Sequence, residues 1–173
     1  RTNALLGRLY LRNGDYHNAF SHSIKALGEA RTLGDSTSVR EAYLALEQIT
    51  YFYHNDDSLA MEYNRLVASS WDSREQAHQA VRALNNRFNY TLSPDDVRDI
   101  ISRSEDICHK YDFDDLLINI YLNATFQELS FEDAEASARY LAKAEPLIGN
   151  FKEEGYYYSA KGFYELSIGQ STE

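Results

Sequence analysis

The stretch that decides the fold is residues 4–26, ALLGRLYLRNGDYHNAFSHSIKA, which reads as one helix–turn–helix unit. Its first helix covers about 2–12 and its second about 15–33, with the break at Asn13-Gly14-Asp15. Gly14 supplies the positive φ that ends the first helix, and Asp15 is placed to cap the next. Ala19, Ser23 and Ala26 form a stripe of small residues on the second helix, so the first can approach closely. Leu33-Gly34-Asp35-Ser36-Thr37 then closes the unit with a second glycine stop followed by capping residues.

Working outward, the same pattern returns 41 residues on: Tyr10 maps to Tyr51, Gly14 to Asn55, Asp15 to Asp56, Ala19 to Ala60 and Ala26 to Val67. Asn is the next-best residue for a left-handed helix end, so Asn55 preserves the physics of Gly14. This second pair is expected at about 38–53 and 57–69; its departure is Leu6-Gly7 becoming Glu47-Gln48. A third pair is expected at about 72–89 and 94–110, where Ser93-Pro94-Asp95-Asp96 is a helix start with Ser as N-cap and Pro at the first helical position. Setting Ala19 on Val97 puts Phe88 at the Tyr10 position and Ser104 at the Ala26 position. A fourth pair, about 114–129 and 132–148, repeats the Tyr16-x-x-Ala19 spacing as Phe131-x-x-Ala134, and Pro146 should kink or fix its last turn. A final helix, about 154–168, carries Gly162 and Gly169 seven apart, as Gly7 and Gly14 are.

Composition narrows the class. Two prolines, eight glycines and no alternating β-branched runs argue against a sheet, so the chain is expected to be all-α. A net charge of −10 repels a phosphate backbone, which argues against nucleic-acid binding. No apolar run approaches a membrane span, and no basic amphipathic helix suited to anionic lipid is present, so no membrane insertion is expected. One cysteine, Cys108, does not decide the compartment. A start at Arg1 rather than Met, and a stop after one unpaired helix, lead to the expectation of a fragment of a longer protein.

Leu6-Gly7, Tyr10, Gly14, Tyr16, Ala19 and Ala26 stand in the order and spacing of a tetratricopeptide (TPR) repeat. The tryptophan near the start of that signature has no match; Asn3–Ala4 occupies its neighbourhood. The chain resembles the TPR superfamily strongly over residues 4–33, moderately over 42–69 and weakly beyond, with a 41-residue spacing longer than the usual 34. Its long repeats and Leu-Gly-Asp connectors look like those of bacterial signalling and regulatory proteins. The resemblance implies an all-α superhelix of about four helix pairs plus a terminal helix, one array over residues 1–173. It further implies a concave groove that binds a peptide or protein segment, without catalysis, as the sensing or partner-docking part of a signal-transduction or transcription regulator. A structural scaffold that self-associates through its repeat ends, giving a homodimer, is the alternative.

In such arrays the first helix of each pair lines the groove. Carried over, the groove residues are Arg8, Leu11 and Arg12 from the first pair and Ala45, Ile49, Phe52 and Tyr53 from the second. The third contributes Arg82, Asn86, Asn89 and Tyr90, and the fourth Asn119, Asn123, Phe126 and Gln127. Asn119, Asn123 and Gln127 recur every four residues and so share one helix face, and an amide can both donate to and accept from a peptide backbone. Arg82 with Asn86 resembles the charged-plus-amide pairs by which some TPR grooves hold a peptide carboxylate. A solvated helix face is the plainer reading of the same residues.

Nothing in the sequence supports a catalytic residue, a metal or a cofactor. His17, His22, His54, His78 and His109 lack the i, i+4 spacing of a helical zinc pair. Asp112, Asp114 and Asp115 do not continue as a calcium loop, and N-capping is the expected role of the acidic pairs. Cys108 sits near Ile101 and Ile107 and reads as a small buried hydrophobe. The tyrosines, Tyr156-Tyr157-Tyr158 included, are expected to pack between adjacent helix pairs.

Overall fold

The computed structural model describes residues 2–90, 92–150 and 154–170. Among them the protein is all-α: α1 (Thr2–Arg12), α2 (Tyr16–Leu33), α3 (Ser36–Ile49), α4 (Asp57–Ala68), α5 (Arg74–Asn86), α6 (Pro94–Tyr111), α7 (Asp114–Ser130), α8 (Ala134–Ala144) and α9 (Glu154–Gln170). Where the repeat pattern predicts one continuous array, the chain forms two compact units, Arg1–Ala83 and Leu84–Glu173, with the boundary inside α5.

In the first unit α1 packs on α2, α2 on α3 and α3 on α4, and α1 also touches α3. The local rules act as read. Gly14 (φ 74°) and Asn55 (φ 51°) are both left-handed. The residues that follow them, Asp15 and Asp56, accept from the backbone N–H of Asn18 at 3.2 Å and Leu59 at 3.0 Å. Ala19 and Ala60 are wholly buried, as are Ser23 and Val67 to within 2%. The close approach lies at Gly7, where a Cβ would meet Ser23 Oγ at 2.8 Å and the Ser23 backbone nitrogen at 3.4 Å. The second pair solves the same contact differently. Glu47, at the Leu6 position, is 1% exposed, and Asn64, at the Ser23 position, donates to its Oε1 at 2.7 Å. The same amide donates to the Ala83 carbonyl at 2.6 Å, so a polar pair replaces a small-residue contact and ties in α5. Buried Arg40 adds a second tie, donating to the carbonyls of Val67 and Gln76.

Two local departures follow from the sequence. The helix predicted through 53 ends as α-helix at Ile49 and continues as one π turn, Thr50–His54, before Asn55 stops it. The helix predicted through 148 ends at Ala144 and passes into a 3₁₀ turn, Glu145–Asn150, that holds Pro146; proline lacks the N–H an α-helix would use there.

In the second unit α6 packs on α7, α7 on α8, and α9 lies against both α7 and α8. Ser93 and Asp96 form a reciprocal capping box with Pro94 at the start of α6, and Asp112 (φ 55°) ends that helix in the left-handed region rather than capping the next. The fourth pair is three residues out of the register predicted from Phe131 and Ala134. Glu132 (φ 61°) holds the Gly14 role, and Asp133, accepting from Ala136 N–H at 2.8 Å, holds the Asp15 role. Ser137 and Ala144, both 0% exposed, then take the places of Ala19 and Ala26. The aromatic match at Phe131 misleads because the helix break is set by backbone geometry, not by the ring. Tyrosines join neighbouring helices in both units: Tyr43 stacks on Tyr63 at 5.6 Å and Tyr121 on Tyr140 at 6.5 Å.

Candidate ligand cleft on the first unit

α3 and α5 run side by side in the same direction, and α1 flanks α3. Their hydrogen bonds climb in register, from Gln76 Nε2 to Ser36 Oγ (3.0 Å), through Gln79 Nε2 to the Thr37 carbonyl (3.2 Å), to Gln79 Nε2 and Glu41 Oε2 (3.2 Å). Toward the later residues of these helices lies an open cleft of about 270 Å³, lined by Arg8, Leu11 and Arg12 of α1, Tyr16 at the start of α2, Glu41, Leu44, Ala45 and Gln48 of α3, Phe52 of the π turn, and Arg82 of α5.

Its chemistry is cationic at the rim and apolar along the wall. Glu41 is the one carboxylate lining it, and two arginines converge on that group: Arg8 Nη1 at 3.3 Å from Oε1 and Arg82 Nη1 at 3.4 Å from Oε2. The arginine side chains stay 50% and 40% exposed, while that of Glu41 is 19% exposed. Arg12 forms no ion pair among the described residues. Phe52, 55% exposed, leaves an aromatic face open beside the charged groups.

The structure therefore brings together Arg8, Arg12, Phe52 and Arg82 of the residues picked from the sequence. Tyr53 is half-exposed but stacks on Tyr16 at 5.6 Å, outside the cleft lining. Ile49 is corrected: it is 0% exposed, and Gln48 lines the cleft instead. An aliphatic side chain at that turn of α3 faces the interior, and its polar neighbour faces out. Glu41, Leu44 and Gln48 were legible only by extending the Ala45 face of the helix in both directions at helical spacing.

The second unit treats its share of those residues differently. Asn86 ends α5, just before the 3₁₀ turn Arg87–Asn89, and does not line the cleft. Asn119 Nδ2 turns back to the Asp115 carbonyl at 3.0 Å, and Gln127 Nε2 donates to Ser130 Oγ at 3.2 Å. Asn123 donates to Asn85 Oδ1 at 2.9 Å and accepts from the Tyr156 hydroxyl at 2.6 Å. Phe126 is covered by Tyr156, stacked at 5.4 Å, and by the edge of Phe163 at 5.7 Å. Helix α9 thus meets Asn123 and Phe126 of this face, while Asn119 and Gln127 are engaged within α7 itself.

Other titratable groups are built into packing. Burial pushes the Cys108 thiol up to about 12, with Asp115 and Asp114 adding to the effect. Burial also raises the Glu128 carboxyl; Asp133 adds to this, and Arg98 and Arg139 oppose it. No group of three His, Cys, Asp or Glu among the described residues is arranged to hold a metal ion, and no helix among them is long and apolar enough to cross a membrane. No family model, no curated protein and no solved structure matches this chain.

Proposed function

We propose that this chain is a non-catalytic binding module of the TPR kind, whose ligand is a peptide or protein segment seated on the face of α1, α3 and α5. The observation that carries this reading is Phe52, 55% exposed in a cleft it shares with Arg8, Arg12 and Arg82. Exposed aromatic and arginine side chains are the types that dominate binding energy at protein interfaces. Leu11 supplies apolar surface beside them, backed by the buried Leu44 and Ala45. A non-catalytic role is supported by the cleft's one carboxylate being held between two guanidinium groups, and by the raised, buried thiol of Cys108. The setting in a bacterial signal-transduction or transcription-regulatory protein rests on the sequence resemblance alone.

The test is selection of binders from a displayed random-peptide library against the intact chain. Phe52→Ala and Arg12→Ala should each weaken the selected peptides at least about tenfold, with the circular-dichroism melting curve unchanged. Binders indifferent to both substitutions would overturn the reading. Self-association is the second reading, favoured by α9, on which Tyr158, Phe163 and Leu166 are 60%, 60% and 64% exposed. It predicts concentration-dependent dimers in sedimentation that Tyr158→Ser with Leu166→Ser abolishes.

A further inference from the structure

We infer, building on the peptide-binding reading, that the Arg8–Arg12–Arg82 cleft receives a phosphomonoester carried on a peptide side chain. Three guanidinium groups and one carboxylate line it, so two positive charges have no counter-charge there. The chain as a whole carries −10, and the cleft is a local reversal of that sign.

The ion pairs leave these arginines available. Glu41 engages Nη1 of Arg8 at 3.3 Å and Nη1 of Arg82 at 3.4 Å, longer than a tight charge-assisted pair. A guanidinium carries five N–H donors in a fixed fork, so each keeps donors for a second oxyanion while Glu41 holds the two groups together. Arg12 stands one helical turn beyond Arg8 on the same face of α1 and adds a third fork. A phosphomonoester brings about −1.5 to −2 charges and three acceptor oxygens, matching both the two unmatched charges and the three guanidinium groups. A single carboxylate brings one charge and two oxygens, and Glu41 already supplies that.

The size and the wall select a peptide as the carrier. A volume of about 270 Å³ falls below the roughly 300–1,000 Å³ of pockets that enclose a whole small ligand, and suits one anchoring side chain. Leu11 and Phe52, over the buried Leu44 and Ala45, offer a surface for an apolar residue flanking that anchor. Nucleic acids and anionic bilayers present many charges at once, and the net −10 repels them. Glu41 is in this arrangement a built-in counter-charge. Glu41→Gln keeps an acceptor oxygen for the arginines and adds one unmatched positive charge to the cleft.

The experiment measures binding of the intact chain to fluorescent peptide pools with randomised flanks around a central phosphoserine, phosphotyrosine, glutamate or serine. Inorganic phosphate serves as a separate probe. A phosphorylated pool should bind about tenfold or more above the glutamate pool. That preference should fade between about pH 7 and about pH 5, as the phosphoryl group takes up its second proton near pH 6. Arg12→Ala should cost about tenfold and Glu41→Gln should gain about threefold, with unchanged melting curves. Glutamate or serine pools that bind as well as phosphorylated ones, still dependent on Phe52, overturn the phosphoryl inference and leave the peptide reading standing. Arg12-dependent binding of inorganic phosphate with no pool bound overturns the peptide carrier. No binding of any probe overturns both.

Discussion

Two faces of this molecule were equivalent in the sequence and are opposite in the structure. On the first unit, α1, α3 and α5 turn arginines and Phe52 into an open cleft, with Arg12 outside any ion pair among the described residues. On the second unit, α7 presents Asn119, Asn123, Phe126 and Gln127 on one stripe, and its own unit takes them up. Asn123 is satisfied on both sides of its amide, by Asn85 and Tyr156, and Phe126 is covered by α9. The difference teaches that a polar stripe at helical spacing reports a face left outside the local helix pair. It does not report whether a later helix will cover that face.

The largest expected effect tests how tightly the open face is built. Gly7→Val should destabilise the chain by about 2–3 kcal/mol, because the Ser23 backbone nitrogen at 3.4 Å and the Ala19 carbonyl at 3.5 Å already bound the space for a Cβ. Urea melts would read it, and a neutral outcome would mean that α1 sits loosely on α2. Next, Asn123→Ala should cost about 1 kcal/mol, since it removes two hydrogen bonds, one of them part-buried, that tie α7 to Asn85 and Tyr156. Arg12→Ala should stay within about 0.5 kcal/mol. A reversal of those two numbers would dissolve the contrast between the faces.

Glu128 sharpens the comparison further. It occupies in the fourth pair the place that Tyr10 holds in the first; Tyr10 stacks on His22 at 5.4 Å, whereas Glu128 is 3% exposed. Burial raises its carboxyl, so the folded state binds its proton more tightly than the unfolded chain does. The resulting penalty is absent below the ordinary glutamate range and complete once pH exceeds the raised folded value. Glu128→Gln should therefore stabilise the chain at pH 7, within about 1 kcal/mol, and the gain should shrink as pH falls into that range. A melting-temperature difference that grows on acidification would contradict this sign. Gly162→Ala is expected to stabilise by about 0.5–1 kcal/mol, because nothing lies within 4 Å of the added Cβ and alanine favours the helix. Gly7 and Gly162 look alike in the sequence, and only the first is needed by a neighbour.

Much of the first two helix pairs was legible. Gly14, Asn55, Asp15 and Asp56 act where the sequence placed them, and the offset of 41 residues carries Ala19 to Ala60 with both wholly buried. The Glu47-Gln48 departure, which weakens the repeat on paper, is a substitution matched by Asn64 at the facing position. The fourth pair was misregistered by three residues because Glu132 is a rare residue for a left-handed helix end and gave no signal. Of the residues picked for a groove, Arg8, Arg12, Phe52 and Arg82 converge. Ile49 is buried by the turn of α3 on which it sits, and the amides of α7 are taken by their own unit.

The sequence by itself determined the helices and most of their ends, because capping and left-handed stops depend on residues within one turn of each other. It also determined the small-residue contacts within a pair, where two helices joined by a short break must meet. Only the tertiary structure decided which polar faces stay open. Asn123 is satisfied by partners 38 and 33 residues away, and Arg82 is aimed by a carboxylate 41 residues away. Helical periodicity places a side chain on a face, but the charge and cover of that face come from helices elsewhere in the chain.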